Sequence, residues 1–347
     1  MTFDSYLRLL PKAELHCHFV SVMRPATLIE LAATHGVMLP SDDVEGLLDF
    51  DNLQDFLDVF NAAHAVLVAP EDFARVAYEG VQDAIAAGNL RYREYFINPQ
   101  NFAMPYEQLV DAIADGLQSA ERDYGVGFRL VIAINRSHSP ESAVQLVNTV
   151  SSHPREFVVG LGMDDLTPEG TEDPIRFTAA YELARKAGLK VSAHVGETMP
   201  ASPDNVALAI DVLKVDRIDH GYRIMDDAAL VSRALASQIP FTCTPVSTRV
   251  LSQWEFTPDH RIAQMVRAGL TVTFATDDAV FFSTDIGREY REAIPAMGLD
   301  RMDAARIARA GFESAWCSDL QKQRLLADFD AQLLALNAAF PAGSIGS

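Results

Sequence analysis

Along the chain, short runs of Val, Ile, Phe, Tyr and Leu alternate with longer stretches whose apolar residues recur every three or four positions. The short runs read as strands and the long ones as amphipathic helices; their alternation is the pattern of βα units around a parallel sheet. Eight runs qualify: AELHCHF from Ala13, LRYREYFIN from Leu90, GFRLVIAIN from Gly127, FVVGLGM from Phe157, KVSAHVGE from Lys190, RIDHGYR from Arg217, PFTCTPVS from Pro240 and TVTFATDD from Thr271. Between them, EDFARVAYEGVQDAIAAG and DPIRFTAAYELARKAG each carry helical periodicity and end on Gly, a helix stop signal. Eight strands with crossover helices predict an α/β chain closed into a (β/α)8 TIM barrel. The interval from Val20 to Asn89 is about twice what one crossover helix needs, so extra helices are expected between strands 1 and 2, near the barrel mouth. Phe50, Phe56 and Phe60 in that interval are lid candidates, with core packing the commoner role for such residues.

No linker, repeat or low-complexity segment interrupts the 347 residues, which points to one domain over 1–347. The balance of 28 basic to 48 acidic residues gives a net charge of −20, which repels nucleic acid and anionic membranes. Three scattered cysteines, Cys17, Cys243 and Cys317, argue against a disulfide framework and for a cytoplasmic location. The first twelve residues lack the pattern of an export signal, no stretch is apolar enough to span a membrane, and PAGSIGS reads as a frayed end. The expected partner is a small molecule, and oligomeric state is not legible.

Chemistry concentrates at the strand ends. Side chains alternate faces along a strand, so His16 and His18 share the barrel interior while Leu15, Cys17 and Phe19 face away. Their Cα atoms stand roughly 6.6 Å apart, a gap across which two imidazoles can meet one metal at Zn–N of about 2.0–2.1 Å. The other strand ends add His194 and Glu197, Asp219 and His220, and Asp277 and Asp278. Burying so many polar groups is costly without a shared purpose, and a metal with a polar substrate provides one. Three imidazoles and a carboxylate suit one zinc ion per chain with room for a water, so His16, His18, His194 and Asp277 are the expected ligands. None of the five lysines stands at the end of the fourth strand, which speaks against a carbamylated two-metal bridge. Glu197 is a candidate proton donor beside the metal, and His220 and Asp278 are further catalytic candidates, each with an ordinary hydrogen-bonding alternative. His35, His64, His138, His153 and His260 lack a partner at ligand spacing and read as surface or capping residues. Cys17 reads as a small buried apolar group.

The order of motifs resembles the adenosine deaminase family over nearly the whole chain. PKAELHCHF is similar to that family's PKAELHxHL, RPATLIELAATHGVMLP to its following helix, HVGE to HAGE, DHGYR to GHGYR, and TDDAVFFSTDIGREY to TDDPAMFGTDLxxEY. The resemblance implies a zinc aminohydrolase: zinc on His16, His18, His194 and Asp277, an activated water attacking purine C6, Glu197 protonating N1, His220 orienting and deprotonating the water, and Asp278 on N7. Three departures bear on the substrate. Where the family reads HLDG, this chain has His18-Phe19-Val20-Ser21, so Val20 replaces the carboxylate that holds a ribose 5′-hydroxyl. Asp165 stands where a Gly offers its N–H to N3, and Thr248 removes the amide of CPxSN. The expectation is an adenosine-like 6-aminopurine nucleoside, with Val20 pointing to a less polar 5′ end such as an aminodeoxyfutalosine-like, 5′-deoxy or thio nucleoside and plain adenosine left open. The alternatives are an aminohydrolase of adenine, an N6-substituted adenine, a pterin or a cyclic amide, and, from another class, an inactive nucleoside-binding protein. The signature of the cytidine- and tRNA-type zinc deaminases is absent.

Overall fold

The computed structural model describes residues 2–41, 43–48 and 53–340, with the backbone alone for 53–58. Eight strands, β1 (Lys12–His18), β2 (Leu90–Ile97), β3 (Gly127–Asn135), β4 (Val158–Asp164), β5 (Lys190–Val195), β6 (Arg217–His220), β7 (Pro240–Cys243) and β8 (Thr271–Phe274), lie in sequence order, each parallel to the next. A bridge between Cys17 and Asp277 returns the sheet to β1. Glu14 reinforces that seam: its carboxylate accepts the N–H of Thr276 at 2.9 Å and the Thr276 hydroxyl at 2.6 Å. The fold is the expected (β/α)8 barrel, and every strand starts within one residue of its apolar run.

The interval between β1 and β2 holds the helices Pro25–His35, Val44–Leu47, Leu53–Ala65 and Pro70–Gly88, after a 3-10 turn at Phe19–Val22. Of the lid candidates, Phe60 packs against Phe281 and His64, with ring centroids 5.6 and 4.7 Å away; Phe50 and the side chain of Phe56 lie outside the described residues, as does the PAGSIGS tail. Two expectations are corrected. The run PFTCTPVS is a strand only to Cys243, because Pro245 at the first helical position opens the helix Pro245–Leu251. Gly88 is not the helix stop: Asn89 takes the left-handed conformation, at φ 57°. Gly88 is there for contact, since a Cβ on it would stand 2.5 Å from the backbone nitrogen of Gly287.

The barrel interior below the site is polar and closed. Glu94 on β2 and Arg217 on β6, both fully buried, pair at 2.7 Å across the barrel. The Arg217 guanidinium lies over the Trp316 ring at 3.8 Å, and Tyr92 and the Trp316 backbone N–H both donate to Glu94. Glu94 is well supplied with donors, whereas Arg217 Nε and Nη2 are buried without hydrogen-bond partners and rely on the indole face and on Asp219, 3.7 Å from Nε. Trp316 also fills the space beside Gly160, where a Cβ would meet the indole at 2.5 Å. Among the described residues no helix is long and apolar enough to cross a membrane.

Lys12 is buried at the start of β1, and its Nζ donates to the carbonyls of Leu7, Leu10 and Gly88 at 2.7, 2.7 and 2.9 Å. Gly88 ends a 19-residue helix, where orphan carbonyls and the helix dipole both favour a cation. Lys12→Met leaves three buried acceptors unpaired and is expected to lower unfolding stability by about 3 kcal/mol, measured as a shift of the urea midpoint.

Candidate metal centre and active site

β1 delivers both histidines to the C-terminal mouth of the barrel, on the face that alternation requires. His16 Nε2 and His18 Nε2 stand 3.2 and 3.3 Å from the same oxygen, Asp277 Oδ1. His194, at the end of β5, brings its Nε2 to 3.3 Å from His18 Nε2. Asp277 follows β8 with φ at 64°, a left-handed conformation unusual for a residue with a side chain. The β1 seam holds it there: its N–H donates to the His16 carbonyl, and its own carbonyl accepts from the His18 N–H and the Ser21 hydroxyl. Ser247 donates to its second oxygen, Oδ2, at 2.7 Å.

Behind each imidazole stands a group that fixes its tautomer. Thr242 donates its hydroxyl to Asp219 Oδ1 at 2.8 Å, so its oxygen, 3.1 Å from His16 Nδ1, is left to accept that N–H. Asp219 Oδ2 faces His194 Nδ1 at 3.5 Å, and Asp164 Oδ2 faces His18 Nδ1 at 3.6 Å. Asn98 holds Asp164 by a 2.7 Å bond to Oδ1. Thr242 on His16 and the carboxylates facing His194 and His18 thus all lie on the Nδ1 side, leaving the Nε2 edges turned toward Asp277 or one another, the orientation of carboxylate-backed metal ligands.

Whether a cation belongs there can be tested on the donors themselves. His16 Nε2 is buried and has no hydrogen-bond partner, and the Nε2 atoms of His18 and His194 stand 3.3 Å apart. Burial, then repulsion from Asp277 and Glu172, pushes the Glu197 carboxyl up to about 8; burial, then Asp277, pushes Asp278 up to about 7. Burial raises Asp164 to about 6. Burial disfavours a charge on His18, yet the carboxylates of Asp278, Asp277 and Asp164 pull it up to about 10. The pocket thus carries surplus negative potential with unpaired nitrogen donors inside it, and a divalent cation fits both conditions.

The catalytic candidates surround this point. Glu197 Oε2 is 3.8 Å from His220 Nε2. His220 has φ at 66°; its Nδ1 is within 3.3 Å of the Tyr222 and Thr244 hydroxyls, and its Nε2 is buried and unpartnered. Burial keeps that imidazole neutral, well below the usual range. Asp278 Oδ1 is likewise buried and unpartnered. Val20 is buried in the turn after β1. Asp165 has φ at 62°, consistent with a position where glycine is at ease, and its side chain folds back onto the Leu166 N–H at 2.7 Å instead of leaning into the pocket.

Several contributors escaped the sequence reading. Asp164, Thr242, Ser247, Arg136 and Glu172 were not singled out, and Asp219 was noticed without a role. Asp219 had a legible signal, because β6 sits beside β5 with His194 opposite Asp219. Of the remote histidines, His260 is the cap expected, accepting the Ile262 N–H at the start of its helix, though buried. His64 is the correction: it is partly buried beside Phe102, with Nδ1 on the Phe60 carbonyl. Cys17 is fully buried, as expected.

Comparison with known proteins agrees with this geometry. Residues 11–332 match the adenosine deaminase family. The chain belongs to that family. It is 35% identical to an adenine deaminase of Cupriavidus metallidurans, over 99% of this chain and 98% of the relative. Among solved structures, an adenine deaminase from Arthrobacter aurescens superposes with a TM-score of 0.85 at 30% identity, covering 93% of this chain and 99% of that one. An amidohydrolase from Burkholderia ambifaria with bound zinc gives the same TM-score and identity, over 96% and 94%.

Asp219 backs two of the metal-facing imidazoles at once. Asp219→Asn is expected to weaken metal affinity roughly 10–100-fold, measured by competition with a chromogenic chelator, and an unchanged affinity would remove Asp219 from the site's support.

Proposed function

We propose that this chain is a metal-dependent hydrolytic deaminase of adenine-type 6-aminopurines, with adenine as the leading substrate. The observation that carries the reading is the convergence of His16, His18, His194 and Asp277 with Glu197, His220 and Asp278 at one barrel mouth. The adenine deaminases it resembles at 35% and 30% identity along nearly their whole length support adenine over a nucleoside.

His16, His18, His194 and Asp277 would hold one zinc ion, which when bound polarises and acidifies a water. The chain's own groups do the rest. Glu197, raised to about 8, keeps a proton at neutral pH and can deliver it to ring N1 as the water oxygen bonds to C6. Neutral His220 offers Nε2 to orient that water and accept its proton. Asp278, raised to about 7, can donate to the N7 lone pair in its protonated form. Protonated His220 then returns its proton to the exocyclic amine, the C6–N bond breaks to release ammonia, and the hydroxyl proton passes to the Glu197 carboxylate, leaving the 6-oxopurine and both groups as they began. Asp165 would offer its backbone N–H to N3, with Val20 as apolar wall.

Electrostatics supports a substrate without phosphate. Among the described residues, the arginines that follow β3, β6 and β7 are engaged: Arg136 with three backbone carbonyls, Arg223 with Asp226 and Arg249 with Glu292. A second reading keeps the chemistry and changes the sugar side. Val20 cannot accept a hydrogen bond, which favours a purine whose N9 substituent ends in an apolar group. The three cysteines are all free, which supports a reducing, cytoplasmic setting for a chain acting as one domain.

Ammonia release by the metal-loaded protein, measured with adenine, adenosine, 5′-deoxy and 5′-thio adenosines, N6-methyladenine and pterins, is expected to give adenine the highest kcat/KM. Turnover confined to the 5′-modified nucleosides would establish the second reading, and none at all would leave a binding protein. Glu197→Gln is expected to retain the metal while kcat falls about 10²–10⁴-fold.

The acid works only while protonated, so kcat/KM should fall as pH rises through about 8. The same limb should vanish from the residual activity of Glu197→Gln. A parent profile flat to pH 9 and above would contradict a carboxylic acid in this role.

A further inference from the structure

The turn that carries Glu197 is held by the same carboxylate whose charge helps raise that acid. Glu172, buried in the connection between β4 and β5, accepts the Gly196 N–H at 2.6 Å, the Glu197 N–H at 3.0 Å and the Asn205 side-chain amide at 2.8 Å. Both of its oxygens are used, and every partner is a donor. Its own carbonyl accepts from Arg136 Nη1 at 2.9 Å, and the same guanidinium nitrogen donates to the His194 carbonyl at 2.8 Å. The loop is thus fastened to the end of β5 by side chain and by main chain. Between these anchor points Gly196 takes φ at 63°, where a Cβ would stand 2.7 Å from Val206.

We infer that Glu172 is a positioning residue for the reaction: by gripping two successive backbone N–H groups, it fixes the Cα of Glu197, so that the acid reaches the substrate ring edge through its side-chain torsions alone. Two consecutive N–H groups turned to one side form a concave anion cradle, and a carboxylate with acceptors only is matched to it. Glutamine is not: its NH2 would oppose one of the three donors. The inference rests on Glu197 as proton donor. It goes beyond that assignment by naming the residue that sets where the donor stands. A displacement of about 1 Å at a reacting group costs roughly 10²-fold in rate, so loosening this turn should be visible in kcat.

The test compares Glu172→Gln and Glu172→Ala with the parent, in metal-loaded protein, reading kcat, KM, bound metal per chain and thermal midpoint. For Glu172→Gln, kcat read on the low-pH plateau is expected to fall about 10–100-fold, with KM within about threefold, metal content unchanged and the thermal midpoint lowered by only a few degrees, as one mismatched buried donor costs. Glu172→Ala should lose at least as much. A double-mutant cycle isolates the route: in the Glu197→Gln background, adding Glu172→Gln should change the residual rate by no more than about twofold, since coupled residues do not add. The inference is overturned if Glu172→Gln leaves kcat within twofold of the parent. It is equally overturned if the same loss appears in both backgrounds, or if the rate falls only as metal is lost or the variant unfolds at the assay temperature, for then Glu172 only holds the fold. Full turnover by Glu197→Gln alone would overturn the donor assignment, and that arm is read separately.

Discussion

Repulsion among like charges governs this molecule. Asp164, Asp277, Asp278 and Glu197 come from three different βα connections, and the fold brings them to one mouth where burial denies them water. In the apo chain they respond as crowded acids do, holding protons near neutrality or drawing a charge onto His18. A compact positive charge among the imidazoles would satisfy them together, and in the function proposed above that same charge acidifies a water. On that proposal, ion binding and chemistry answer one electrostatic demand.

That demand is met by unusual backbone. Asp165, His220 and Asp277 all have left-handed φ values of 62–66° at the ends of β4, β6 and β8. Each costs about 1–3 kcal/mol, offset by bonds such as those from Asp277 to the His16 and His18 main chain. At His220 and Asp277 this turns the side chain toward the mouth, while at Asp165 the side chain folds back onto the Leu166 N–H.

Much of this was legible in the chain. Strand periodicity gave all eight starts, and the two-residue spacing of His16 and His18 placed both on the inner face. What stayed hidden has a common cause. Thr242, Ser247, Glu172 and Arg136 act through partners far away in sequence, and a lone threonine or glutamate carries no local pattern. Glu172 could not be found because the loop that carries it has neither periodicity nor motif. The helix stop at Gly88 was misread for a related reason: glycine signals either a turn or a close approach, and only the packed neighbour, Gly287, decides between them. The substrate expectation leaned on a single side chain, Val20, while the remainder of the chain aligns with adenine deaminases.

The Trp316 indole beneath the barrel has a bearing on biosynthesis. It covers the ion pair between Glu94 and Arg217, and its backbone N–H donates to Glu94 across 222 positions of sequence. Trp316 lies in the link between the helices Arg301–Ser314 and Asp319–Ala339, so a growing chain cannot cover that pair until this link has been made and has docked.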